Sequence, residues 1–262
     1  MMEKYVTSAG SAVAAGLANH LWQSTLVALI AGLLTLALRK HQARARYWLW
    51  LAASLKFLVP FSLLVDLGQR LTWTRHSAQS VSAGFYFAIE QLGQPFSQSA
   101  VRVSPAPHPA MVSPGLTHFL PFLTLLWLCG CVAVVLLWTV RWYRISSAMK
   151  SLLPLQHGRE VEALRRVERS GGLRNPIPLL LSRASLEPGI FGISRPTLIW
   201  PDGISQRLDE AHLEAILAHE VWHVRRRDNL SAALHMLVEA VFWFYPLVWW
   251  LGARLVEERE RA

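Results

Sequence analysis

The chain has 262 residues, of which 53% are hydrophobic and only 16% charged, with 12 Trp and a formal net charge of +9. About a quarter of an ordinary soluble domain is charged, so this composition excludes a typical soluble domain. The basic residues crowd beside long apolar runs, which reads as membrane flanks, and nucleic acid is not predicted as a partner.

Three apolar stretches account for the composition: LWQSTLVALIAGLLTLAL at 21–38, YWLWLAASLKFLVPFSLLV at 47–65 and FLPFLTLLWLCGCVAVVLLWTV at 119–140. Each has roughly the 20 residues that a bilayer crossing needs, and Trp and Tyr flank them as they do at interfaces. Transmembrane helices are therefore predicted near 19–38, 47–65 and 119–140. The first run is longer than a signal-peptide core. No small-residue cleavage site precedes the basic cluster, so the helix is expected to be retained.

Arg39, Lys40, Arg44 and Arg46 fill the loop after the first helix, whereas only Lys4 precedes it. The positive-inside rule then places the N-terminus outside and this loop in the cytoplasm. The segment 66–118 becomes an external loop, with Arg70, Arg75 and Arg102 as its cations and many Ser, Pro and Gln, expected to be loosely structured. Arg141 and Arg144 return the chain to the cytoplasmic side. The expected location is the bacterial inner membrane, multi-pass, with residues 142–262 as a cytoplasmic domain.

Two details of the membrane part carry chemistry. Cys129 and Cys131 are two apart on a helix, so they point to different faces and read as small packing residues. Lys56 lies inside the second apolar run. A charge there marks a functional site by default, or it snorkels or meets a polar loop group; the second reading carries more weight.

Residues 142–170 are amphipathic and predict a helix ending at Gly171-Gly172. Short apolar runs at 176–183, 189–193 and 197–200, broken by Pro and Gly, predict strands and tight turns. An edge strand of that sheet could hold an extended peptide, or the sheet could simply cover the next helix; both readings stand equally.

That helix, LDEAHLEAILAHEVWHV at 208–224, has Leu213, Ile216, Leu217, Val221 and Val224 as its apolar positions. Asp209, Glu210 and Glu214 lie toward its start and Arg225, Arg226 and Arg227 toward its end, which suits the helix dipole. It contains H-E-x-x-H. His219 and His223 fall one turn apart on one face, so both imidazoles can reach one Zn²⁺, and Glu220 can poise a water for attack.

A catalytic zinc needs a third protein ligand. After His223 comes another apolar run at 230–251, then Glu257, Glu258 and Glu260. A straight crossing would leave these carboxylates about 30 Å away. Pro246 offers a return, because it pushes Tyr245 out of helical geometry and starts a new helix well. Residues 229–243 and 246–260 make arms of equal length, roughly 21 Å at the helical rise. The prediction is a membrane-associated hairpin over 230–260 with Glu260 as third ligand. His235 and Glu239, four apart on the first arm, read as internal polar contacts rather than ligands. His212 is expected to face solvent. Asp228 either orients a ligand histidine or pairs with the arginines, and the sequence does not separate these.

The segments NHLWQST at 19–25, RYWLW at 46–50 with Lys56-Phe57, GIFGISRP at 189–196, AILAHEVWHVRRRDN at 215–229 and PLVWW at 246–250 resemble the BlaR/MecR-type membrane zinc metallopeptidases (metallopeptidase family 56), antirepressors that signal β-lactam exposure in bacteria. The resemblance covers nearly the whole chain. It implies an α-helical membrane protein with a small α+β gluzincin-like zinc peptidase domain. It implies His219 and His223 as ligands and Glu220 as general base, and Glu260 matches the family's E-x-x-C-D element. The Cys and Asp of that element are missing after Ala262, as are any later membrane helix and external sensor domain. The chain is thus expected to be an N-terminal fragment or short form, and β-lactam recognition is not carried over.

The function expected is a membrane-bound zinc endopeptidase cleaving a cytoplasmic regulator or itself. Its partners are a protein or peptide substrate and the lipid bilayer; the substrate-binding residues and oligomeric state are left open. The alternatives are a housekeeping peptidase of the HtpX/Ste24 type and a non-catalytic membrane signalling scaffold.

Overall fold

The computed structural model describes residues 2–39, 43–60, 95, 115–183 and 187–262. Helices α1 (Met2–Ala37), α2 (Ala43–Lys56) and α3 (Gly115–Lys150) come first. Strand β1 (Leu153–Pro154), helix α4 (Arg159–Ser170) and strands β2 (Leu179–Ser182), β3 (Gly189–Phe191) and β4 (Thr197–Pro201) follow. Helices α5 (Glu210–Arg226), α6 (Asp228–Val241) and α7 (Pro246–Arg261) complete the order. The chain divides into two compact units, one of 1–133 with 238–262, the other of 134–237.

In the first unit, α2 packs against α1 and α7. Tyr47, Trp50, Leu51 and Phe57 meet Val248 and Leu251 in one buried cluster. Within it, Arg46 donates to Glu258 at 2.9 Å, both side chains about one-tenth exposed. Three indoles tie the start of α3 to the α6–α7 corner: Trp127 donates to the Val241 carbonyl, Trp243 to that of Trp127, and Trp249 to that of Trp243. The corner itself follows the sequence. Tyr245 is extended (φ −103°, ψ 107°) and Pro246 opens α7, as the steric rules for proline require.

Two helical segments, Val13–Ala37 and Pro121–Lys150, are long and apolar enough to cross a membrane. Three were expected. The second stops short among the described residues: α2 has 14 residues, roughly 21 Å at the helical rise, against about 30 Å of hydrocarbon. Pro60 explains the stop, since it lacks an N–H and bars helical geometry at Val59. The amides of Phe57, Leu58 and Val59 close the end with tight i→i−3 bonds, and the His20 ring bonds the Phe57 carbonyl at 2.8 Å. Lys56 therefore sits in a final helical turn, where its Nζ donates to Ser24 Oγ at 3.2 Å. This polar partner lies on helix α1, not on the loop that the sequence suggested. Residues 61–65 of the expected second span, and 66–94 and 96–114 of the expected external loop, lie outside the described residues.

In the second unit the helix expected over 142–170 is divided. Helix α3 runs on to Lys150, β1 intervenes, and α4 begins at Arg159. Pro154 cannot supply a helical amide, and Gly158 takes φ 122°, a backbone state open mainly to glycine. The sheet has the order β1-β2-β4-β3, with β2 and β4 parallel and the outer strands antiparallel. The three runs read as strands are strands; the two-residue β1 was not anticipated. Leu164, Leu198, Trp200, Leu213 and Leu217, all fully buried, form the core that seats α5 between the sheet and α4. Arg166 of α4 also bonds Glu210 and Glu214 of α5.

Candidate metal centre

The motif helix is α5, and its start is built locally. Asp209 caps it by accepting the His212 backbone N–H at 2.8 Å. That bond, with the His212 ring, holds the Asp209 carboxyl below the usual carboxylate range. His212 is exposed, as expected. Leu213, Leu217 and Val221 are buried along one face and fix the helix about its axis. The rotation leaves His219 exposed, His223 half-buried and Glu220 buried between them in sequence.

His219 and His223 converge as the i, i+4 spacing demands. Their Nε2 atoms are 3.0 Å apart and their rings stand at 87°. Two imidazoles bound tetrahedrally at about 2.0–2.1 Å would hold their nitrogens about 3.3 Å apart, so a few tenths of an ångström separate this pair from zinc geometry. The donors suit the ion, since neutral imidazole is a common zinc ligand.

Behind the pair lies Asp228. Its Oδ2 is 2.6 Å from His223 Nδ1 and also accepts from Arg226 Nη2 at 2.6 Å. The sequence offered orientation of a histidine or pairing with an arginine as alternatives; the same oxygen does both. Burial pushes the Asp228 carboxyl up, but the bonds from His223 and Arg226 outweigh it and hold it below the usual range. A carboxylate there fixes the proton on Nδ1 and leaves the Nε2 lone pair facing His219.

The backbone makes this possible at Arg227, which ends α5 in the left-handed conformation (φ 57°, ψ 42°). The chain reverses there and brings Asp228 back under His223. Asn229 then donates to the Ile190 and Gly192 carbonyls of edge strand β3 and the turn after it, pinning the start of α6 to the sheet. Pairing of Asp228 with one of the arginines was among the readings, whereas Asn229 was not foreseen as part of this arrangement; the polar run after the second histidine was the signal available.

Glu260 is exposed on the last turn of α7, in the first unit, with Arg259 beside it. His235 is buried on α6 and Glu239 half-buried one turn on. Cys129 and Cys131 are free thiols on α3.

The BlaR1 peptidase M56 family profile matches residues 16–262. The chain belongs to this family. Among curated M56 relatives, it is 32% identical to the regulatory protein BlaR1 of Bacillus licheniformis over 136 residues, 51% of this chain and 22% of that one. It is 26% identical to the methicillin resistance mecR1 proteins of Staphylococcus aureus and Staphylococcus epidermidis over 62 residues, 24% of this chain and 11% of theirs. The matched stretches span about a fifth or less of these relatives' lengths. The M56 membership favours the regulatory reading over the housekeeping one.

Proposed function

We propose that this M56 chain is a membrane-bound zinc endopeptidase of bacterial signal transduction, hydrolysing a peptide bond in a cytoplasmic regulator or in itself. The observation that carries this is the His219–His223 pair, held at 3.0 Å on a buried-face helix with His223 braced by Asp228. His219, His223 and Glu260 hold the ion. The matched lengths of the two arms of the hairpin, α6 with 14 residues and α7 with 16, support Glu260. When bound, zinc polarises the scissile carbonyl and makes water a stronger acid. Glu220 accepts a proton from the attacking water and returns it to the leaving nitrogen. Asp228 keeps His223 in one tautomer throughout. The apolar helical segments hold the peptidase in the inner membrane, and Arg141 and Arg144 in α3 put the motif helix on the cytoplasmic side.

The test is Glu220→Ala in the full-length native protein, reconstituted in vesicles, with cleavage of itself and of its cognate regulator followed by mass spectrometry. The expected result is loss of cleavage with zinc content unchanged. Cleavage that persists in this variant removes the enzymatic reading and favours a signalling scaffold.

A further inference from the structure

In the first unit, α2 packs against both α1 and α7 and leaves a groove between those two helices. Its volume is about 580 Å³, inside the roughly 300–1,000 Å³ typical of ligand sites. Ala28, Gly32, Trp50, Leu247 and Trp250 line it. Trp50 meets Trp250 edge-on at 5.2 Å. At one end the Thr25 hydroxyl and the Tyr245 hydroxyl close it with a 2.7 Å hydrogen bond. At the other end Arg39, Arg46, Arg254 and Arg261 gather with Glu258.

The charge at that end does not balance. Four arginines against Glu258 leave +3; Glu257, which pairs with Arg254 and Arg261, lowers this to +2. Arg46 is committed to Glu258. Arg39 is exposed, and no carboxylate pairs with it among the described residues. The groove runs from Thr25 on α1 to Arg39 two residues beyond its end, 14 steps along the chain or roughly 21 Å at the helical rise. One leaflet of hydrocarbon is about 15 Å deep, half of the usual core.

An apolar trough long enough for one leaflet of hydrocarbon plus a headgroup, and cationic at one end, matches an amphiphile with a negative head. A polar solute would strand itself on the tryptophans, and an apolar helix would leave the arginines unanswered. We infer that the groove binds one anionic phospholipid, an acyl chain along Gly32 and Trp50 and the phosphate at Arg39 and Arg261. The inference rests on α1 as a membrane span and is independent of the zinc chemistry. Basic pockets between membrane helices bind such headgroups, and a basic residue near an anionic lipid is worth about 1 kcal/mol, or about fivefold in affinity.

The experiment is native mass spectrometry of the full chain in detergent, titrated with phosphatidylglycerol or phosphatidylcholine. Phosphatidylglycerol is expected to bind one per chain and at least about tenfold more tightly. Arg39→Gln should weaken it about fivefold, and Arg39→Gln with Arg261→Gln about 25-fold. Arg44→Gln removes an exposed arginine outside the groove and should leave binding unchanged. Gly32 lines the groove, where a Cβ would lie 3.4 Å from Trp50, so Gly32→Leu should fill it and displace the lipid. Equal affinity for the two lipids, equal effects of Arg39→Gln and Arg44→Gln, or full retention in Gly32→Leu would each overturn the inference. So would a lipid-excluding dimer that Gly32→Leu dissociates, which would give the groove to a second copy. A chain that stays monodisperse without detergent would overturn the membrane reading and the lipid site with it.

Discussion

Replacing Asp228 separates two jobs done by one oxygen. Asp228 and Arg226 side chains are 2% and 7% exposed, and His223 is 14% exposed. Asp228→Ala removes the carboxylate that the buried Arg226 guanidinium bonds, and breaking such a buried pair costs about 3–5 kcal/mol. It also removes the Asp228 bond behind the His223 ring, and loss of such a partner behind a metal-binding histidine costs about 10–100-fold in affinity, or about 1.4–2.7 kcal/mol. The double variant Asp228→Ala/Arg226→Met removes the arginine charge as well. Unfolding measured by urea titration in the presence of a chelator should show Asp228→Ala strongly destabilised and the double variant largely recovered. Zinc affinity, measured by competition with a chromophoric chelator, should fall in both variants alike. If the double variant regains zinc affinity together with stability, Asp228 acts through the charge pair alone and its role behind His223 is wrong.

Other outcomes follow from single contacts. Arg46→Met or Glu258→Leu alone should destabilise in detergent unfolding, and the two together should cost less than the sum of the single losses, because the buried pair couples them; additive losses would deny the pairing. Gly130→Ala would drive a Cβ into the Trp243 ring, so it should destabilise by about 1–3 kcal/mol and shift Trp243 fluorescence. An unchanged spectrum and stability would show that the indole is not seated there. Arg227→Gly should be neutral or stabilising by up to about 1 kcal/mol, and Arg227→Val destabilising, because a left-handed residue strains any side chain and a β-branched one most. The reverse order, from the same urea titration, would mean that Arg227 is not left-handed.

Much of the site was legible because its signals are short-range. The motif and the Pro246 corner each depend on residues within one turn. The joint role of Asp228 was not legible, because it requires a left-handed arginine that no periodicity announces. The helix over 142–170 was misread for a similar reason. Charged residues on both sides of Pro154 kept one amphipathic pattern, and a two-residue strand between them has no period of its own. The second apolar run hid its own end, since Phe57-Leu-Val-Pro-Phe61 stays apolar while Pro60 ends the helix.

Zinc content per chain tests the central claim most directly. Elemental analysis of the purified chain should give one zinc per molecule, unchanged in Glu220→Gln and lost in His219→Ala/His223→Ala. Glu260→Gln should keep less zinc under chelator competition than the parent, and unchanged affinity there would remove Glu260 as the third ligand. Full zinc in the double histidine variant would contradict the account of the site altogether.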